Sequence, residues 1–253
     1  MNKILHGSIG AVAALLFSGT ALANQIDINT NTGNGEPSLY DIANGSRAGK
    51  APLFENLGSN DPQVNNAHWS GGANGTSNSV LQATWTGNYQ DATFGVYSIY
   101  DPSNRLNLLY GGSQLGAETN DETKGFLNYL GDGEFSAYTQ DVRTGATSNN
   151  QIKNLGSEVF GYFLTIGGKT FYSDADLNGG DDRMVGYQGD NSGSLLTNEY
   201  LFGWEDGDDN DYQDYVTTIE SIRPVPEPSS IAMFGVGLLL LGFGVRRMQK
   251  RDV

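Results

Sequence analysis

The sequence contains no cysteine. That absence excludes disulfide staples, thiolate nucleophiles, zinc–sulfur centres and iron–sulfur clusters together. Histidine is nearly absent too: the chain has two, His6 and His68, and His6 falls in a segment read below as a leader. Any histidine-based chemistry therefore rests on His68, and a lone His beside Trp69 in a Gly/Asn-rich stretch reads as packing or surface. Basic residues are scarce, 14 against 29 acidic ones, for a net charge of −15. Such a chain repels nucleic-acid phosphates, so no nucleic-acid partner is expected. There is no Gly-x-Ser-x-Gly elbow, no phosphate loop and no His-x-x-x-His pair. What the chain does have is 35 glycines, 38% hydrophobic and 11% aromatic residues. That is enough apolar surface to build a core. Its 253 residues allow one large domain or two small ones at roughly 100–200 residues each.

Both ends read as targeting segments. Residues 1–23 place Lys3 before an apolar run over 9–17 and end in Ala21-Leu22-Ala23, the layout of a signal peptide cut before Asn24. At the other end, 231–245 is an uncharged run followed by Arg246, Arg247, Lys250 and Arg251. It is shorter than the roughly 20 residues of a comfortable span, but snorkelling side chains extend its reach. The basic tail stays in the cytoplasm by the positive-inside rule, which leaves the body outside. Just ahead of the run stands Val225-Pro226-Glu227-Pro228. Pro-Glu-Pro, a short Gly/Leu-rich span and a terminal arginine cluster, in that order over 225–253, resemble the PEP-CTERM sorting signal of Gram-negative bacteria. The resemblance implies recognition by an exosortase-type membrane protease. It also implies an inner-membrane-anchored precursor destined for the cell surface, outer envelope or extracellular matrix, and a setting in which exopolysaccharide is made. An ordinary C-terminal anchor behind a proline-rich linker is the alternative.

The body is then 24–224, and its acidity sharpens. With Lys3 and the four basic tail residues removed on one side and Asp252 on the other, nine basic residues face 28 acidic ones over 24–228, a net charge near −19. Such a surface attracts divalent cations. Short apolar stretches separated by Gly/Asn/Asp/Ser clusters predict strands at 79–86, 93–100, 106–110, 134–139, 158–166, 169–173, 184–187, 200–205 and 215–222. The segment 93–100 alternates Phe, Val and Ile with Gly, Tyr and Ser, as a half-buried strand does. Ile166-Gly167-Gly168-Lys169 reads as a tight hairpin turn. Only 37–57 looks able to form helix, and 70–79 reads as a surface loop. The fold class expected is all-β, a jelly-roll-like β-sandwich.

Two loops concentrate the chemistry. Between Asp174 and Asp214 lie 12 carboxylates and one base, Arg183. In the first loop Asp174, Asp176 and Asn178, then Gly179 and Asp181, reproduce the first half of a calcium loop. The twelfth position is Val185, so the bidentate glutamate of an EF-hand is missing. A solvated acidic turn is the alternative. In the second, Glu205, Asp206, Asp209, Asp211 and Asp214 stand so densely that they repel one another unless a cation sits among them. Calcium, which takes six to eight oxygens in loose geometry, suits such a loop better than magnesium. A plain acidic hairpin tip is the competing reading.

The motifs Phe171-Tyr172-Ser173-Asp174, Asp182-Arg183-Met184, Phe202-Gly203-Trp204-Glu205-Asp206 and Asp209-Asn210-Asp211-Tyr212-Gln213-Asp214-Tyr215 resemble the C-terminal part of the domain-of-unknown-function family 4114. Phe94-Gly95-Val96-Tyr97 and Tyr40-Asp41-Ile42 are similar to the N-terminal half of proteins joining that domain to the same sorting tail. The chain departs from the family pattern at Arg183 and Asn210. The resemblance implies export and an acidic framework; the family has no established activity.

No catalytic residue is expected. Paired carboxylates cleave glycosidic bonds, but Glu205 and Asp206 are neighbours and on a strand would face opposite sides. The reading is an exported, non-catalytic surface or matrix protein stabilised by calcium. The alternatives are a carbohydrate-binding module, with Trp69, Trp85, Trp204 and the 13 tyrosines as its platform, and a glycan-active hydrolase. Exposure of the indoles separates sugar binding from a structural role.

Overall fold

The computed structural model describes residues 25–28, 36–45, 51–58, 60–64, 66–71, 75–84, 86–111, 117–118, 123–207 and 209–226. These form one short α-helix, α1 (Leu39–Asn44), two short 3₁₀ turns (Tyr89–Asp91 and Ala175–Asn178) and fourteen strands. The strands are β1 (His68–Gly71), β2 (Thr76–Thr84), β3 (Thr93–Ser98), β4 (Asp101–Tyr110), β5 (Ala117–Glu118), β6 (Thr123–Gly131), β7 (Glu134–Asp141), β8 (Thr147–Asn154), β9 (Val159–Ile166), β10 (Lys169–Tyr172), β11 (Met184–Gln188), β12 (Glu199–Trp204), β13 (Tyr215–Glu220) and β14 (Ile222–Val225). The signal expected at 1–23 and the span expected at 231–245 lie outside the described residues, as do Glu227, Pro228 and the basic tail. Among the described residues no helix is long and apolar enough to cross a membrane.

All strand pairs are antiparallel and fall into two sheets. One runs β14-β1-β9-β3-β4, with β10 beside β1 on the same edge of β9. The other runs β11-β12-β13-β2-β6-β7-β8, with β5 beside β6 on β2. The all-β sandwich is thus observed as two packed sheets. The jelly-roll refinement is not: β5–β8 and β11–β13 stay in one sheet, so meanders alternate with sheet crossings.

Alternation explains the packing. In β12, Tyr200, Phe202 and Trp204 enter the core between the sheets, while Leu201 faces the other way into a second apolar cluster. A strand whose two faces are both covered needs apolar residues at successive positions, which is how Tyr200 to Trp204 reads. The central core is aromatic: Phe94 stacks on Tyr162 at 5.5 Å, and Trp69 meets Phe202 at 4.9 Å and Tyr200 at 5.1 Å. The second cluster is built by Ile28, α1 and the segment after it, with Leu39, Ile42, Leu53 and Phe54 covering Val185, Tyr187, Leu201 and Val216. The helix, six residues long, is too short to hold itself together. A capping box starts it: Ser38 Oγ accepts from Asp41 N at 3.2 Å, and Asp41 Oδ2 accepts from Ser38 N at 3.1 Å. The turn at Gly167 and Gly168 has φ of 56° and 76°, which supplies the two positive φ values of a two-residue hairpin and fixes the Ile166–Lys169 register.

Several elements differ from the sequence expectation. The stretch 70–79 is not a loop throughout: Ser70 and Gly71 end β1, and Thr76 opens β2. Trp69, fully buried, draws β1 into the sheet. β6, β8 and β14 were not expected as strands of their own. β8 is polar and exposed on nearly every residue, an edge strand whose inward side chains clasp the other sheet. Gln151 accepts from Asn107 N at 3.4 Å and donates to Asn107 O at 3.2 Å, while Lys153 Nζ donates to Arg105 O at 3.2 Å. These bonds occupy backbone groups on the free edge of β4. Finally, β14 runs to Val225, which pairs with His68.

Candidate metal centre

The loop from 205 to 214 joins β12 to β13, and it folds inward around its own carboxylates. Glu205, 1% exposed, accepts N–H groups of Gly207 at 2.8 Å, Asp211 at 3.0 Å and Tyr212 at 3.4 Å. Asp214, 7% exposed, accepts the Asp206 N–H at 2.6 Å. Asp206 accepts from Thr86 Oγ1 at 2.6 Å, which ties the loop to the segment after β2. Asn210 and Tyr212 both adopt left-handed backbone, with φ of 60° and 56°. Asparagine tolerates that region; for tyrosine it costs about 1 kcal/mol or more. Tyr212 is held there because its hydroxyl donates to Asp182 O at 2.7 Å and its ring belongs to the second apolar cluster. Gly203 makes the close approach achievable, since a Cβ there would sit 2.5 Å from Tyr212 O and 2.6 Å from Leu39 Cδ2.

Five acidic side chains meet in this loop. Carboxylate oxygens of Glu205, Asp211 and Asp214 lie within 4.8 Å of one another, and so do those of Glu36, Asp209 and Asp211. Two oxygens bound to the same calcium are at most about 5 Å apart, given ligand distances of roughly 2.3–2.6 Å. The groups therefore already have the spacing of a coordination sphere. Asp211, 2% exposed, and Gln213, 1% exposed, are equally deep. Gln213 Nε2 donates to Asp211 Oδ2 at 2.7 Å and to Glu36 Oε2 at 3.4 Å, while Gln213 Oε1 is buried without a donor.

The electrostatics follow from burial and crowding. Burial, then Asp209, pushes the Glu205 carboxyl up to about 7, against its N–H donors. Burial, with Asp206, Glu205 and Asp211 adding to it, pushes Asp214 up to about 9 despite the Asp206 N–H. Asp211 is raised by burial and by Asp209, and Glu36 by burial, Asp211 and Asp209. Carboxyls so arranged bind protons or a cation, and a divalent cation displaces several protons at once.

The first acidic loop is organised differently. Asp174 caps the short helical turn Ala175–Asn178, accepting from Asp176 N at 3.0 Å, and its other oxygen lies 3.8 Å from His68 Nε2. The Asn178 carboxamide is consumed by the backbone: it accepts from Tyr172 N at 2.9 Å and donates to Tyr172 O at 2.8 Å. Asp176 is exposed, and Asp181 pairs with Arg183 at 3.4 Å. Among the described residues these side chains do not gather with a third acidic ligand. Arg183 links the loops by donating to Gly207 O while its guanidinium lies 5.6 Å over the Phe171 ring.

Glu36 and Gln213 join the centre without having been expected there. Gln213 carried a signal, lying between Asp211 and Asp214. Glu36 carried none, because it arrives from a segment 177 residues away in the chain. Trp69 and Trp204 are fully buried in the core, so neither can serve as a sugar-stacking platform; Trp85 lies outside the described residues.

Comparison with known proteins adds one functional fact. Residues 224–247 match the PEP-CTERM protein-sorting motif, which marks an exported, membrane-processed protein of Gram-negative bacteria and implies processing by an exosortase. No curated protein sequence matches the chain. Among solved structures, the C-terminal domain of the BC2L-C lectin of Burkholderia cenocepacia is similar at 14% identity and a TM-score of 0.32, covering 65% of this chain and 100% of its own. A Ralstonia solanacearum high-affinity mannose-binding lectin gives 16% and 0.27, over 63% and 97% of the two chains. A Chromobacterium violaceum lectin in complex with alpha-methyl-fucoside gives 13% and 0.27, over 64% and 98%. The two-sheet architecture rests on the strand pairing itself.

Proposed function

We propose that this is a non-catalytic protein of the cell surface or exopolysaccharide matrix, exported as a membrane-anchored precursor, whose sandwich is completed by calcium. The observation that carries the calcium reading is the burial of Glu205, Asp211 and Asp214 with their oxygens within 4.8 Å. Three buried carboxylates at that spacing are expensive as anions and inexpensive as ligands. Calcium suits the site better than magnesium, which demands a strict octahedron at roughly 2.0–2.1 Å and keeps its waters. An exported protein meets calcium in the range where extracellular modules bind it, about 10⁻⁴–10⁻³ M. The 174–181 loop is left out of the centre because the Asn178 carboxamide is spent on the Tyr172 backbone. The non-catalytic reading is supported by the burial of Glu205, Asp211 and Asp214, which keeps these three carboxylates out of reach of a polymeric substrate. The test is a melting curve of the full chain in detergent, in millimolar calcium and in chelator. A rise of a few degrees with calcium, absent in Asp211→Asn, supports the reading; equal midpoints for the wild type refute it.

Glycan binding is a second reading, favoured by the outer face of β2, β6, β7 and β8. There Phe126 stacks on Tyr138 at 5.0 Å. Beside them a polar row crosses three strands: Thr76 Oγ1 donates to Asn128 Oδ1 at 2.8 Å, and Asn128 Nδ2 to Ser136 Oγ at 3.2 Å. Ile152, 70% exposed, continues this row opposite Ser136. Rings with amides and hydroxyls beside them match the alternating faces of a neutral sugar. On an array of neutral glycans, retention by the wild type and its loss in Phe126→Ala/Tyr138→Ala would support this; retention unchanged in the variant removes the face from consideration.

A further inference from the structure

We propose that the outer face of the first sheet, around Arg105, binds the acidic sugar units of a polyuronate. The charge of this sheet sets it apart. Its strands carry Arg105, Lys169 and Arg223 against Asp101 alone, whereas in the other sheet Glu118, Glu134, Asp141, Glu199 and Glu220 outnumber Lys124 and Lys153. On a body of net charge near −19, such a face is where an anion can approach.

Arg105 is built to receive one. Its guanidinium lies 5.0 Å from the centre of the Phe163 ring and 5.2 Å from that of Tyr172, which holds the planar group flat on aromatic rings. Nε donates to Pro102 O at 2.6 Å, Nη1 to Thr170 Oγ1 at 3.2 Å, and Nη2 to the Tyr172 hydroxyl. Arg143 and Arg183 lie 4.0 and 3.4 Å from the carboxylates of Asp141 and Asp181; the partners of Arg105 are all neutral. A guanidinium has five N–H groups, so one on each Nη is left for an acceptor, and Arg105 is only half-buried.

The surroundings select the anion. Thr165 and Thr170 place two hydroxyls beside the guanidinium, 2.9 Å from each other. Asn107 follows two positions along β4 on the same face, and Gly95, which pairs with both Asn107 and Phe163, puts no side chain between them. A uronate carries a carboxylate on a ring of hydroxyls. The carboxylate fits the guanidinium, the hydroxyls fit Thr165, Thr170 and Asn107, and the C–H face fits the half-buried Tyr172 ring. An acidic peptide fits less well, because peptides add to a strand edge, and here β3 and β9 are paired on both sides.

Binding is measured on the full chain in detergent and in chelator, so that no cation bridges protein and polymer and the calcium centre plays no part. With labelled tyrosine, trigalacturonate should shift the Tyr172 ring signals in the NMR spectrum of the wild type, and maltotriose should not. Immobilised polygalacturonate should retain the wild type, at least about tenfold more tightly than Arg105→Lys, which keeps the charge but loses the flat fork. From about 10 to about 150 mM salt the Debye length falls from roughly 30 to 8 Å. That screens the repulsion of the acidic body more than the contact itself, so retention should hold or rise. Equal retention of wild type and Arg105→Lys, competition by polyglutamate as strong as by free polygalacturonate, or Tyr172 signals indifferent to trigalacturonate overturns the site.

Discussion

Glu205 and Asp214 are carboxyls placed where ionisation is costly, and that gives the ion-free protein a defined pH response. Below about pH 3 both are protonated in folded and unfolded chains alike. As pH rises the unfolded chain releases these protons first, near ordinary carboxyl values, while the folded chain keeps them to about 7 and about 9. The folded state then holds more protons, so stability falls as pH rises between those limits. Melting in chelator should therefore give a midpoint several degrees lower at pH 9 than at pH 5. Calcium, which binds the ionised form, should give an increment that grows with pH. A flat chelator profile would sink the assignment. Glu205→Gln keeps one acceptor oxygen, which serves either the Gly207 N–H or the Asp211 and Tyr212 N–H groups but not all three, and should flatten much of the fall while removing most of the calcium increment. Gly203→Ala tests the packing instead: its Cβ would collide with the Tyr212 carbonyl and the Leu39 methyl. A destabilisation of about 1–3 kcal/mol in urea titration is expected, with a weakened calcium response because the loop can no longer seat.

At the scale of elements, what the sequence disclosed depended on where each strand found its partners. β3, β9, β10 and β12 carry their apolar pattern locally and were legible within a residue or two. β8 was not, because Thr147-Ser148-Asn149-Asn150-Gln151 has no apolar period; its place is set by pairing with β7 and by the Gln151 and Lys153 clasps on β4. β1 was hidden inside a Gly/Asn/Ser-rich stretch, and only the burial of Trp69 reveals it. The second acidic loop was legible as a candidate centre, since its ligands lie within ten residues; Glu36 was not, since only the folded cover brings it there. The clasp yields its own prediction. Gln151→Ala should cost about 1–2 kcal/mol, two bonds lost to the Asn107 backbone. It should also speed exchange of the Asn107 amide ahead of the β3–β9 pairs, and equal exchange in variant and wild type would mean the clasp is incidental.

At the scale of the molecule, folded body and sorting segment overlap. The motif matches from Pro224, and Pro224 and Val225 pair with Trp69 and His68 in β14. A protease acts on chain that is not paired in a sheet, so the cut should fall beyond Val225, in the stretch 226–229. Mass spectrometry of the mature C-terminus from the native host decides this; a terminus at Val253, or one upstream of Ile222, contradicts it.

β14 has a mechanical consequence as well. If the tail is held at a membrane, as proposed above, any pull on the body enters it at Val225. The first structure to bear it is a four-residue edge strand paired with β1. Under that pull the four-residue pairing of β14 with β1 is expected to open before the longer ladders of β9, β3 and β12.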